Sequence, residues 1–211
     1  MKMAVLVSGG GTNLQAIIDE HKKGRISNCE IAVVVSSKPD VLALERAEKA
    51  GIPTEVVDVK SVSKSTTKSD TAFEDELLRV LKKYKVDFVV LAGFMCILGK
   101  KFINKFENKI INVHPSLIPE FCGKGFYGLV PHKAVLEEKR TFTGATVHFV
   151  TEGADEGPVI MRKIVPVKKS DNAERLQKRV MQWAEWEILP RAIDLFCKGK
   201  LKVIENKVII E

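Results

Sequence analysis

Very little in this chain of 211 residues points to a membrane, a disulfide framework or a metal finger. No segment reaches the ~18 consecutive apolar residues that a bilayer span requires. The apolar start, residues 3–7, stops at Ser8-Gly9-Gly10-Gly11, which is too short for a secretory leader and ends in a turn, not a cleavage site. The cysteines Cys29, Cys96, Cys122 and Cys197 stand singly, with no CxxC pair, so a reducing cytoplasmic setting without structural zinc is expected. Aromatic residues make up only 7% of the chain, and Lys and Arg are scattered among Asp and Glu. That pattern argues against a nucleic-acid surface, which needs clustered cations with interleaved aromatics. Nucleotide signatures are missing as well: Leu14 stands where GxGxxG needs glycine or alanine, and GxxxxGK[ST] is absent. Ser116 follows a proline outside any GxSxG elbow, and Cys122 has no base close in sequence, so no nucleophile stands out.

What remains is an ordinary globular composition, 45% hydrophobic and 29% charged, with 34 Lys+Arg against 27 Asp+Glu for a net charge of +7. A chain this long removes roughly 70% of its unfolded surface from water on folding, enough for a core without staples. One domain over residues 1–211 is expected. Short apolar runs at residues 3–7, 31–35, 54–57, 86–91 and 109–113 alternate with helix-period segments. Leu14, Ile17, Ile18 and His21 sit at i, i+3, i+4 and i+7 of the first of these. Alternation of this kind predicts βαβ units and a mainly parallel sheet of α/β class. Strands at 144–150 and 159–167 then add antiparallel neighbours in the C-terminal half. A long helix over about 172–197 and a hairpin around Asn206 finish the chain. The Lys/Ser/Thr-rich segment 60–69 and the long glycine-bearing stretch 115–131 read as loops, and long loops in compact domains are usually functional.

Two places carry chemistry. Gly9-Gly10-Gly11-Thr12-Asn13 lies between the first strand and its helix, where unpaired N–H groups of a helix start can hold an anion. Gly11, Thr12 and Asn13 are therefore candidates for a small phosphorylated metabolite. The fifth strand ends in Asn112-Val113-His114-Pro115-Ser116. Residues two apart on a strand share a face, so Asn112 and His114 project together at the sheet edge where open α/β folds bind ligands. An amide beside an imidazole suits a developing oxyanion. After the next strand, Asp155 in a glycine-flanked turn can return a carboxylate toward His114 and favour its charged form. His148 on the same strand reads as a brace for that turn. With no nucleophile in view, direct transfer between two bound substrates is the expected chemistry.

Five ordered segments extend this reading: residues 8–15 (SGGGTNLQ), 91–98 (LAGFMCIL), 112–119 (NVHPSLIP), 144–150 (GATVHFV) and 155–160 (DEGPVI). Together, across effectively the whole chain, they resemble the folate-dependent phosphoribosylglycinamide formyltransferases of purine synthesis. The resemblance implies a Rossmann-like single-domain fold without a metal. It implies formyl transfer from 10-formyltetrahydrofolate to the amine of glycinamide ribonucleotide, in a monomer or homodimer that needs neither nucleic acid nor membrane. Position by position, Asn112, His114 and Asp155 match the catalytic trio, and Gly11, Thr12 and Asn13 the phosphate loop. Gln182 and Glu185 match residues that hold the ribose and the glycinamide end. Met95, Cys96, Ile97, Leu98 and Val150 fall where the pterin is held. The chain departs from the pattern at Cys96, where a basic residue is common, and in the long glycine-rich stretch 120–130, where Lys124 can add charge near the phosphate. It also carries one extra residue around 183–187. Related formyltransferases acting on methionyl-tRNA, and deformylases acting on the folate itself, share the Asn-x-His…Asp core but carry further domains. Those do not fit a first strand at residue 3 and a hairpin after residue 200.

Overall fold

The computed structural model describes residues 1–59 and 71–211. The expected loop at 60–69 lies outside the described residues. Seven strands form one sheet: β1 (Lys2–Val7), β2 (Glu30–Ser36), β3 (Thr54–Val56), β4 (Phe88–Leu91), β5 (Ile110–His114), β6 (Phe142–Phe149) and β7 (Val159–Pro166), in the order β3-β2-β1-β4-β5-β6-β7. The first five are parallel, and β6 and β7 add on in antiparallel fashion. Because the parallel strands are covered on both faces, their side chains are apolar without alternation. Met3, Val5 and Val7 enter one core layer with Leu14, Ile17, Val147 and Phe149, while Ala4 and Leu6 enter the other with Phe73, Leu77, Phe102 and Ile110.

Helices α1 (Thr12–Lys22), α2 (Leu42–Lys49), α3 (Thr71–Lys83), α4 (Lys100–Lys105) and α5 (Val130–Glu137) connect these strands. The sequence reading has no counterpart for α4. Its KKFINK segment buries only Phe102 and Ile103, too few apolar positions for a periodic signal. The long C-terminal helix is present in the expected place but is not continuous. α6 (Ala173–Val180) begins at Asn172, whose side chain accepts from the Arg175 N–H at 2.9 Å. It widens into a π turn over Met181–Glu185 and resumes as α7 (Trp186–Cys197). A β8–β9 hairpin (Leu201–Ile204 and Lys207–Ile210) turns through Glu205 and Asn206, both at positive φ. Asn tolerates that conformation better than most residues, which is why Asn206 marked the turn.

Strand order reverses between β1 and β4: from β1 the sheet grows one way through β2 and β3, and the other way through β4 and β5. The crevice at such a switch point, beyond the carboxyl ends of the strands, is where doubly wound sheets bind ligands. The carboxyl ends of β1, β4 and β5 converge there, bringing Ser8, Ala92 and His114 to one edge. Register completes the arrangement, since Asn112 pairs with His148 and His114 with Thr146. The polar residues of β5 and β6 thus share one face, as the period of two requires. An irregularity between Val147 and His148 on the β7 side bends β6 just before its polar turn.

That turn, residues 151–158, closes back on β6, where Phe149 N–H donates to the Pro158 carbonyl at 2.9 Å. Gly157 permits the approach, because a Cβ there would lie 1.8 Å from the Phe149 carbonyl oxygen. Backbone must shift to admit a methyl group. Gly157→Ala is therefore expected to cost at least ~2 kcal/mol and lower the melting temperature by at least ~4 °C for a domain of this size. A melt unchanged within 1 °C, read by calorimetry, would contradict the close approach.

Candidate active site

A cavity of about 700 Å³ opens at the switch point. Its floor is the glycine turn. Gly11 sits at φ +70°, and a Cβ there would come within 2.7 Å of both Cα and Cβ of Ala43 on α2, so only glycine fits. Around it, the Gly10 carbonyl accepts from Arg46 Nε at 2.9 Å and the Gly9 carbonyl from Ala43 N–H at 3.1 Å. Ser8 Oγ accepts from Met95 N–H at 2.9 Å and lies 2.6 Å from Ser37 Oγ. These contacts fix the turn, whose residues Gly9–Asn13 line the cavity, at a helix start where the first-turn N–H groups lack intrahelical partners. The three expected anion-turn residues are brought together.

Behind them stands Glu185, the last residue of the π turn and almost fully buried. Asn13 Nδ2 donates to its Oε2 at 2.7 Å. Burial pushes the Glu185 carboxyl up from 4.5 to about 7, against the opposing pull of the Asn13 hydrogen bond. Gln182 behaves differently from expectation: it is exposed and off the cavity, whose wall is built by Gln177, Met181 and Glu185. The π turn explains the exchange. One extra residue in the helix is taken up as a wider turn, which advances the phase and leaves positions 177, 181 and 185 aligned toward the ligand side. Gln177 Nε2 also holds the Gly128 carbonyl at 3.1 Å, tying the glycine-rich stretch to α6.

At the opposite wall, His114 and Asp155 meet. His114 Nδ1 lies 3.3 Å from Asp155 Oδ2, and its Nε2–H donates to the Phe121 carbonyl at 2.9 Å. Asp155 Oδ2 accepts from Gly123 N–H at 2.8 Å, while Oδ1 lies 3.4 Å from His148 Nε2. His148 Nδ1–H donates to the Phe149 carbonyl at 2.8 Å, and Asn112 Nδ2 stands 3.2 Å from its Nε2. His148 therefore braces the Asp155 turn, as its position suggested. The expected trio of Asn112, His114 and Asp155 is one connected cluster.

Asp155 favours the charged form of His114, but burial of the ring outweighs it, and His114 sits below the usual histidine value of 6.5. Asp155 itself is opposed by burial, yet hydrogen bonding from His148, the nearby imidazole of His114 and the Gly123 N–H together carry it below the usual 3.8.

The rest of the wall is mixed. Met95, Cys96 and Ile97 line the mouth, with Met95 and Ile97 exposed as large apolar groups. Leu98 is buried in the second core layer and Val150 packs against it; the Val150 N–H is already given to the Ile110 carbonyl at 2.9 Å. Those two support the wall from behind and do not line it. Lys124 lines the cavity, as expected, and so do Phe126, Tyr127 and His132, none of which the sequence singled out. No periodic signal marks residues of a long glycine-rich stretch. Among the described residues, no helix is long and apolar enough to cross a membrane.

An α/β switch-point cleft holding a glycine turn at a helix start and an Asn-His-Asp cluster is the geometry of a group-transfer site. The formyl transferase family model matches residues 1–193, and the chain belongs to that family. It is 40% identical over 206 residues to phosphoribosylglycinamide formyltransferase of Escherichia coli, covering 98% of this chain and 92% of the relative. It is 45% identical over 205 residues to the chicken trifunctional purine biosynthetic protein adenosine-3, covering 97% of this chain. There the chain spans only 19% of the relative's length. The crystal structure of glycinamide ribonucleotide transformylase 1 from Symbiobacterium toebii superposes with a TM-score of 0.91 at 41% identity, covering 100% of this chain and 93% of that one.

The charge state of Glu185 yields a prediction independent of any ligand. A carboxyl raised from 4.5 to about 7 stabilises the fold in full below pH 4.5, and that contribution is lost as pH rises through 7. The loss amounts to roughly 3 kcal/mol. Glu185→Gln keeps a neutral acceptor for Asn13 and should melt progressively higher than wild type as pH goes from 5 to 8, with little difference at pH 5. Equal melting temperatures across that range would show that the carboxylate is not buried as described.

Proposed function

We propose that the protein transfers the formyl group of 10-formyltetrahydrofolate to the amine of glycinamide ribonucleotide, a step of purine biosynthesis. The observation that carries this reading is the Asn112–His114–Asp155 cluster facing the glycine turn and helix start at Gly11–Asn13 across one cavity, in a chain 40% identical to the E. coli enzyme over nearly its full length. Gly11, Thr12 and Asn13 hold the phosphate through N–H groups at the positive end of α1. Glu185, held neutral by burial below about pH 7, adds no negative charge beneath that phosphate and offers the ribose or glycinamide end a hydrogen-bonding carboxyl. The exposed apolar edge of Met95 and Ile97 covers the flat folate ring.

Transfer begins when the neutral amine attacks the formyl carbon. A C–N bond forms and the carbonyl becomes an oxyanion beside Asn112 and His114. His114 is built to carry a positive charge only when one is called for. In the imidazolium form both N–H groups have acceptors, the Phe121 carbonyl and Asp155, yet burial keeps the resting ring neutral. The developing oxyanion competes with Phe121 for the Nε2–H donor of His114, and takes a second hydrogen bond from Asn112 Nδ2. The amine's proton is taken up by the His114–Asp155 pair, between Nδ1 and the carboxylate, and returned to the folate nitrogen as its bond to the formyl carbon breaks. N-formyl product and tetrahydrofolate result.

Each oxyanion donor is commonly worth ~10²–10³ in rate, and acid–base help ~10²–10⁴. Asn112→Ala, His114→Ala and Asp155→Asn are each expected to lower kcat/KM at least ~10²-fold while the melting curve stays cooperative. Because Asp155 works through His114, the double variant should lose far less than the product of the two single losses. Single-turnover transfer, with glycinamide ribonucleotide, methionyl-tRNA and water as competing acceptors, measures both points. Multiplicative losses would break the pairing, and preference for either other acceptor would overturn the assignment.

A further inference from the structure

His132, the third residue of α5, is the most anomalous polar group in the cavity wall. Its side chain is 0% exposed, and neither Nδ1 nor Nε2 has a hydrogen-bond partner. Every other imidazole near the site is held: His114 by Phe121 and Asp155, His148 by Phe149, Asn112 and Asp155. A buried donor and acceptor left without partners is expensive, and an apolar side chain of similar volume would fill the same space at lower cost. A fold that keeps an imidazole here does so for something outside the free protein. The ring belongs to the wall of the transfer cavity, on the side of His114.

We propose that His132 is a further substrate-contacting residue of the formyl-transfer site, a neutral imidazole whose ring nitrogens are satisfied by polar groups of a bound substrate. The proposal rests on the formyl-transfer reading of the cavity. Burial, and then repulsion from a proton on His114, push His132 down to about 4, so it stays neutral at neutral pH. It thus offers one N–H and one lone pair that do not alter with pH. That is the form of imidazole suited to holding an amide or carbonyl in place, and unsuited to acid–base work at neutral pH. The contact made this way is a positioning contact on the substrate beside His114, not a second proton carrier.

The test compares wild type, His132→Leu and His132→Gln in formyl transfer from 10-formyltetrahydrofolate to glycinamide ribonucleotide, with thermal melts of the ligand-free proteins. Leu removes the orphaned nitrogens and should leave the melting temperature at or above wild type. It should at the same time lower kcat/KM by at least ~10-fold. Gln restores a donor and an acceptor and should recover at least a third of wild-type kcat/KM. Wild-type kcat/KM in His132→Leu would overturn the inference. So would a lowered melting temperature in that variant, since a ring that serves only a ligand cannot be holding the free fold. Should Leu fail to fold, His132→Gln decides: a loss of ~10-fold or more in a protein that melts normally would overturn the exchange of one neutral donor–acceptor for another. Absence of formyl transfer in wild type itself would fault the functional reading and not His132.

Discussion

The Asp155 carboxylate is the constraint on which the site depends. One oxygen receives the Gly123 N–H at 2.8 Å and faces His114 at 3.3 Å, and the other faces His148 at 3.4 Å. A single side chain thereby ties the turn after β6 to the glycine-rich stretch after β5 and to the polar faces of both strands. Burial works against that charge, and the hydrogen bonds and neighbouring imidazoles more than offset it. The backbone contributes as well: Asp155 itself sits at φ 61°, and Gly157 lets the turn close onto Phe149. Only with the turn closed does the carboxylate reach the end of β5.

The opposite wall is set by helix phase. A π turn at Met181–Glu185 brings Glu185 under the anion turn, where Asn13 holds it. Two ionisable groups facing one cavity are thus pushed in different directions: Asp155 is kept charged by its donors, and Glu185 is kept neutral below about pH 7 by burial. Environments that split the protonation of two carboxyls let one cavity hold a charged and a proton-bearing carboxyl at the same pH.

The strongest periodic signals were readable in the sequence. A period of two put Asn112 and His114 on one face, and βα alternation placed the glycine turn at the same sheet edge. The start of the long C-terminal helix near residue 172 and the hairpin turn around Asn206 were readable as well. What the sequence did not disclose follows from tertiary context. A one-residue helix insertion shows in no local pattern, yet the wider turn it makes leaves Gln182 exposed while Met181 and Glu185 both face the cavity. Whether Leu98 and Val150 meet the cavity or the core behind it depends on a layer of packing that no local pattern encodes. His132 carries no pattern at all, being one imidazole in a helix start. The direction of the His114 shift depended on how deeply the ring is buried against how close Asp155 comes, and sequence gives neither quantity.

The central claim is that Asp155 holds up the proton affinity of a His114 ring that burial depresses. Titrating the ring nitrogens of His114 by ¹⁵N NMR, in wild type and in Asp155→Asn, measures that opposition directly. The account predicts a wild-type midpoint below 6.5 and a lower one still in the variant, since the carboxylate that favours the imidazolium is gone while burial remains. A midpoint that is unchanged or higher in Asp155→Asn would contradict it.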